Sequence, residues 1–212
     1  FTQCRFEDNR GCAVVADSGN TADVSFADCV FVGTDNWAVW PRKPGFSFDR
    51  CTFVGSLVRV YGDADPSRAT RFTECRFTDD PKLSPTGRLH LRKSKGSLIA
   101  SENVLFDRCT FTMIGEGILP RSEAAIYRDC RMKQASSKIA TPRGTYEGRN
   151  IIEAKADLGF SAILGPTFVN GEKIPLRSRA QAQKLKDARE KSKRNNTAAI
   201  DGSHSSSLEH LV

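Results

Sequence analysis

The sequence predicts an all-β chain: a right-handed parallel β-helix, or solenoid, of about six coils, with a C-terminal capping segment and a basic helical or disordered tail. Three observations point there. A short signature, Phe-x-x-Cys-x-Phe, recurs along the first two thirds of the chain, its copies lie about one coil apart, and the residues between them alternate apolar and polar with period 2.

The six copies are Phe1-Thr-Gln-Cys4-Arg-Phe6, Phe26-Ala-Asp-Cys29-Val-Phe31, Phe48-Asp-Arg-Cys51-Thr-Phe53, Phe72-Thr-Glu-Cys75-Arg-Phe77, Phe106-Asp-Arg-Cys109-Thr-Phe111 and Tyr127-Arg-Asp-Cys130-Arg-Met132. From Cys4 through Cys29, Cys51, Cys75, Cys109 and Cys130 the steps are 25, 22, 24, 34 and 21 residues. Steps of this size suit a coil of three short strands and three turns. A leucine-rich repeat has a similar period, but its Leu/Asn framework is missing here. In Val24-Ser-Phe26 the alternate residues Val24 and Phe26 face inward, a polar pair such as Ala27-Asp28 turns the corner, and Cys29 and Phe31 face inward on the next strand.

A further alternating strand follows in each of the first five coils: Cys12 to Ala16, Trp37 to Trp40, Leu57 to Tyr61, Leu89 to Arg92 and Ile118 to Arg121. Alternation turns Cys12, Val14, Trp37, Val39, Val58, Val60, Leu89, Leu91 and Ile118 inward. It leaves an outward ladder of Ala13 and Val15, Ala38 and Trp40, Arg59 and Tyr61, His90 and Arg92, then Leu119 and Arg121.

The coils of the signature occupy residues 1–135, and 136–176 reads as a terminal coil or cap. Thr141 to Arg149, rich in Pro, Gly and charge, reads as turn. Strand-like runs follow at Asn150-Ile-Ile-Glu-Ala and Phe160-Ser-Ala-Ile-Leu, then Thr167-Phe-Val before Asn170-Gly171, a strong hairpin signal. Such a hairpin closes an edge that would otherwise invite aggregation. In the basic tail, 177–212, Arg177 to Asn195 favours a solvated helix, with Leu185 its only large apolar residue, and Asn196 to Val212 favours disorder.

Of the 212 residues, 32 are Lys or Arg and 25 Asp or Glu, and the resulting net charge of +7 favours an acidic partner. No stretch reaches the roughly 18 to 20 apolar residues of a membrane helix. The chain opens inside a repeat at Phe1 without Met, so it reads as a fragment or processed product. Nucleic acid is a weak candidate partner, because the basic tail has no interleaved aromatic residues. The cysteines recur once per coil and therefore form a line along the axis, which suits neither a tetrahedral zinc site nor well-directed disulfides, and they read as buried core thiols.

The repeat resembles the pectin lyase-like superfamily of right-handed parallel β-helices over residues 1–135. That resemblance implies a saccharide groove on the outward face carrying Trp40, Arg59, Tyr61, His90, Arg92 and Arg121, and with it an extracellular or cell-surface setting. The physics of the side chains agrees, since Arg forks bind uronate carboxylates and aromatic rings pack on sugar faces. Its outward positions lack the carboxylate pair of a glycoside hydrolase. A lyase or epimerase needs a base next to a cation, for which His90, Tyr61 and Arg92 have the right types, with Trp40, Arg59, Arg121 and Lys93 as substrate contacts.

Calcium is the cofactor such chemistry would use, with Asp63 and Asp65 as its candidate ligands beside the turn acids Asp35, Asp79 and Asp80. The long step from Cys75 to Cys109 carries two insertions, Thr78 to Pro85 and Lys93 to Glu102, that would wall the groove. Two readings stay open at this point: a lyase or epimerase acting on an acidic glycan, or a non-catalytic carbohydrate-binding or structural β-helix of the tailspike, adhesin or surface-protein kind.

Overall fold

The computed structural model describes residues 1–16, 24–33, 37–41, 44–55, 57–60, 65–83, 98–100, 103–115, 119–120, 125–140 and 142–205, of which 16, 41, 57, 59, 60, 66, 81, 98–100 and 196–205 are described by their backbone alone. In chain order the strands are β1 (Arg5–Glu7) and β2 (Val14–Ala16), then β3 (Val24–Ala27), β4 (Val30–Val32) and β5 (Trp37–Pro41). There follow β6 (Phe46–Asp49), β7 (Thr52–Val54) and β8 (Leu57–Val60), then β9 (Arg71–Thr73), β10 (Arg76–Thr78) and β11 (Leu98–Ala100). The later turns hold β12 (Val104–Asp107), β13 (Thr110–Met113), β14 (Ala125–Arg128), β15 (Arg131–Gln134), β16 (Thr145–Glu147), β17 (Asn150–Glu153), β18 (Ala162–Ile163), β19 (Thr167–Val169) and β20 (Glu172–Ile174). Among the described residues a single α-helix, α1 (Arg179–Ser205), follows the strands.

Among the described residues these strands lie in three sheets, ordered β3-β6-β9-β12-β14-β16-β18, β1-β4-β7-β10-β13-β15-β17-β19-β20 and β2-β5-β8-β11. Every pairing between strands of successive turns is parallel, and only β19 and β20 pair antiparallel. The chain is thus a mostly β solenoid of stacked parallel coils, the architecture that the repeat predicts.

The signature residues build the core directly. Phe26, Phe48, Phe72, Phe106, Tyr127 and Tyr146 stand in register along the seven-stranded sheet, and Phe6, Phe31, Phe53, Phe77, Phe111, Met132 and Ile152 along the nine-stranded one. Within a row successive Phe rings stack at 4.7–5.1 Å, which is the strand spacing expressed in side chains. Between rows the rings meet edge to face at 5.5–6.4 Å, the arrangement their quadrupoles favour. Each fully buried ring contributes about 1.5–3 kcal/mol of hydrophobic stabilisation, so the two rows dominate the core.

The corner between the rows is tighter than a polar pair alone implies. Gln3, Asp28, Arg50, Glu74, Arg108 and Asp129, each immediately before a signature cysteine, all have φ between 48° and 54°. Left-handed backbone costs a non-glycine residue about 1–2 kcal/mol, so the neighbouring coils must hold it in place. Part of that hold is an alternation of charge: Arg50 meets Asp28 of the coil before it at 2.8 Å, and Arg108 meets Glu74 at 3.1 Å.

The cysteines are free, and Cys29, Cys51, Cys75, Cys109 and Cys130 are buried. Each thiol donates to the carbonyl of the signature Phe one coil earlier: Cys51 to Phe26 at 3.5 Å, Cys75 to Phe48 at 3.4 Å, Cys109 to Phe72 and Cys130 to Phe106 at 3.3 Å. Burial raises the Cys109 thiol well above its ordinary range, so it stays protonated.

The ladder ends by a change of chemistry. Asn150 stands beside Cys130 in the row, and its amide donates to the Tyr127 carbonyl at 3.3 Å as a seventh thiol would. It also accepts from the Cys130 N–H at 3.0 Å and donates to the Glu147 carbonyl at 2.7 Å. The turn expected at Thr141 to Arg149 contains a strand, β16, whose Tyr146 continues the aromatic row. The signature is disguised there because Tyr146-Glu-Gly-Arg-Asn150 carries one residue more than Tyr127-Arg-Asp-Cys130, with Gly148 (φ 62°) at the corner.

The hairpin forms as the Asn-Gly pair predicts. Asn170 (φ 49°) and Gly171 (φ 87°) link β19 to β20, with Val169 opposite Glu172, and β20 covers the edge of the nine-stranded sheet.

Candidate functional site

The expected groove lies on the outer face of the four-stranded sheet, and the structure changes its composition. The strand beside β8 is β11, so Ile99 rather than His90 is the ladder neighbour of Arg59. The long step between Cys75 and Cys109 places Leu98-Ile-Ala100 in the sheet, a run as apolar and β-prone as Leu89-His-Leu91. His90, Tyr61, Arg92, Lys93, Arg121 and Asp63 lie outside the described residues, and Arg59 is placed by its backbone in β8.

Trp40 stands half-buried opposite the exposed Val15. Two residues expected outward are fully buried. Ala38 sits at a register shift between Trp37 and Val39, which folds it into the core, and Leu119 has its N–H on the Gln134 amide at 3.3 Å.

The described acids serve local backbone. Asp65 accepts the Ser67 N–H at 2.9 Å at the start of a 3-10 turn, and hydrogen bonds from Ser67 hold its carboxyl below the usual range. Asp79 is fully buried and accepts from the N–H groups of Ile114 and Gly115 at 2.6 and 2.9 Å, while Asp80 accepts from the Lys82 N–H. Among the described residues no three His, Cys, Asp or Glu side chains come together as a metal site would require.

A cleft the sequence did not signal forms where α1 lies across the end of the seven-stranded sheet. The helix start is pinned. Arg177 pairs backbone to backbone with Ile163, and its guanidinium donates to the carbonyls of Leu158 and Gly159 at 3.0 and 2.7 Å. Ser178 and Gln181 then form a reciprocal capping box: the Gln181 N–H donates to the Ser178 hydroxyl at 3.2 Å, and the Ser178 N–H to the Gln181 amide oxygen at 2.8 Å.

From that start, Arg179, Ala182, Gln183, Lys186, Arg189, Glu190 and Lys193 recur every three or four residues and so share one side of the helix. Ala182, only 5% exposed, is the point of close approach to the protein. Leu185, which an amphipathic reading would turn inward, is 48% exposed. The inner face is cationic and the lone leucine is outside.

Two cavities open beneath that face. One, of about 260 Å³, is bounded by Ile126, Thr145, Phe160 and Ala162 on the sheet side and by Arg179, Ala182, Gln183 and Lys186 on the helix. The other, of about 280 Å³, adjoins it through Phe160 and Lys186 and is lined by Arg143, Asp157, Ser161, Arg189, Glu190 and Lys193. Five cationic side chains thus face two carboxylates around the pair.

Phe160 is the centre of the arrangement. The Arg143 guanidinium lies 5.8 Å from its ring centroid and that of Arg189 5.2 Å, one reaching from the coil and one from the helix. A guanidinium on a ring keeps its donors in its own plane, the geometry that grips a carboxylate or sulfate by two parallel hydrogen bonds. What this cleft can do chemically is bind and orient an anion.

The capping box Ser178-x-x-Gln181, which marks a helix with a defined start, is the signal that could have pointed to this site. The cationic inner face had none, because hydrophobic patterning looks for a leucine stripe. No helix among the described residues is long and apolar enough to cross a membrane. Comparison of the chain with protein-family models, with curated proteins and with solved structures finds no match to any of them.

Proposed function

We propose that this chain is a right-handed, pectin lyase-like β-helix directed at an acidic, uronate-containing polysaccharide, at the cell surface or outside the cell, and that its described cleft binds rather than cuts. The observation that carries this reading is the cationic cleft around Phe160, where Arg143 and Arg189 are held by one ring. A rigid solenoid suits an extended polymer because it offers a surface as long as the stack. The net charge of +7 gives the attraction a longer reach at low salt. The non-catalytic reading is favoured because the groups lining the cleft grip anions, whereas the base and cation expected for β-elimination rest on His90, Tyr61 and Arg92.

Equilibrium binding to pectate, alginate, a glycosaminoglycan and a neutral glucan, at low and high salt, tests the proposal. Acidic glycans should bind, with affinity falling as salt rises, and the neutral glucan should not. Replacing Arg143 and Arg189 together by Ala should weaken binding by about tenfold or more, since charged hydrogen bonds are each worth about 1.5–3 kcal/mol. Equal affinity for the neutral glucan would end the proposal. The same mixtures, supplied with calcium and followed by the ultraviolet absorbance of unsaturated uronate ends, test cleavage: a signal abolished by His90→Ala or Tyr61→Phe would restore the lyase reading.

A further inference from the structure

We infer that the α1 cleft is a two-unit clamp that takes two consecutive acidic sugars, with Phe160 as the positioning residue that aims its arginine forks. This rests on the acidic-glycan reading above and specifies the ligand of the same site.

The size of the cavities sets the ligand length. At about 260 and 280 Å³ each lies below the roughly 300–1,000 Å³ of pockets that enclose a small-molecule ligand, while the two together fall inside that range. They share Phe160 and Lys186 in their linings, so a ligand that reaches past these two side chains meets both. Cations line each: Arg179 and Lys186 in the first, Arg143, Lys186, Arg189 and Lys193 in the second. A ligand that fills both and meets cations in both carries a negative group on each of two neighbouring units, as an oligouronate does.

The clamp has one fixed wall and one strapped wall. Arg143 and Phe160 belong to the coil, and Arg179, Lys186, Arg189 and Lys193 to a helix anchored at its start by Arg177 and Ser178. Along its inner side Ala182 is the buried apolar contact, and farther on Arg189 meets Phe160. The five cations outnumber the carboxylates Asp157 and Glu190 in the lining, so anionic groups between the walls complete the balance of charge, and ligand binding and the seating of α1 favour each other. Because both guanidiniums rest on a single ring, removing the ring takes the same support from both forks.

The test uses the full chain with mono-, di- and trigalacturonate as probes, read by calorimetry and by amide hydrogen exchange across α1. Digalacturonate should bind at least about tenfold tighter than monogalacturonate, and the third unit should add no more than about threefold, as effective concentration gains the second contact within one site and none beyond it. Digalacturonate should also slow exchange along α1. Phe160→Leu should weaken digalacturonate binding by about tenfold and Phe160→Tyr, which keeps the ring, by less than about threefold, in line with the strength of partly desolvated cation–π contacts. Arg189→Lys, which keeps the charge and loses the fork, should weaken it as Phe160→Leu does.

Equal affinity for the mono- and disaccharide, affinity rising steadily with each added unit, or an unaffected Arg189→Lys would overturn the clamp while leaving glycan binding standing. Failure of pectate itself to bind would overturn both.

Discussion

Tyr127 occupies a position that Phe fills in the coils before it, and its hydroxyl is the weak point of the aromatic row. The residue is fully buried, its ring lies 5.4 Å from Phe106 and 5.1 Å from Tyr146, and its hydroxyl has no hydrogen-bond partner among the described residues. Tyr146, next in the row and equally buried, donates its hydroxyl to the Pro142 carbonyl at 3.1 Å. The two positions therefore give opposite signs for the same substitution.

Tyr127→Phe removes an unpaired buried polar group while leaving the ring stack, and should stabilise the chain by about 1–2 kcal/mol, which raises Tm by roughly 2–8 °C at this chain length. Tyr146→Phe removes one of the two hydrogen bonds on the buried Pro142 carbonyl, which keeps the Ser161 hydroxyl at 3.3 Å, and should destabilise by about 0.5–1.5 kcal/mol. Thermal melts followed by far-ultraviolet circular dichroism, with urea titrations as a second measure, separate the two. A drop in Tm for Tyr127→Phe, or shifts of one sign in both variants, would refute the account of the row.

Asn150→Ala deletes the side chain that meets the Cys130 N–H and the Tyr127 and Glu147 carbonyls; the Glu147 carbonyl keeps the Asp129 N–H, and with about 1–3 kcal/mol for each of the other two buried groups the urea midpoint should fall by the equivalent of at least about 2 kcal/mol. A chromogenic disulfide reagent should titrate Cys4 and Cys12 quickly in the native chain, and Cys29, Cys51, Cys75, Cys109 and Cys130 only on unfolding; fast reaction of all seven would contradict the buried row. Salt bridges to Arg50 and Arg5 hold Asp28 and Glu7 below their ordinary pKa values of 3.8 and 4.5. A depressed folded pKa contributes stability above the unfolded value and loses it as pH falls through the folded one, so Tm should decline below about pH 4, less steeply in Arg50→Ala.

The solenoid was legible because its determinants are local and repeated: an aromatic residue, a polar corner and a Cys in every copy. Asn170-Gly171 was legible for a related reason, since few residue pairs tolerate two positive φ angles. What patterning misplaced was register. It set Leu89 to Arg92 beside β8, where Leu98–Ala100 pairs, because alternation within a long insertion does not say which apolar run the sheet selects. It also turned Ala38 outward, since a bulge leaves no mark in apolar order. The cleft stayed hidden because Ala182 and a set of cations, rather than Leu185, make the inner face of α1.

The amide that replaces a thiol at Asn150 bears on how such a chain lengthens. Each coil between β1 and β15 hands the next the same acceptor, a Phe or Tyr carbonyl, and receives the same donor, so a copied coil inserted anywhere in that span finds both partners waiting. At Asn150 the exchange of donor and acceptor becomes three-way, and two strands farther along the sheet an antiparallel strand closes the edge. The coils that exchange one donor for one acceptor therefore all lie on one side of Asn150, and the amide in the cysteine row works as punctuation, marking where the last interchangeable unit stops.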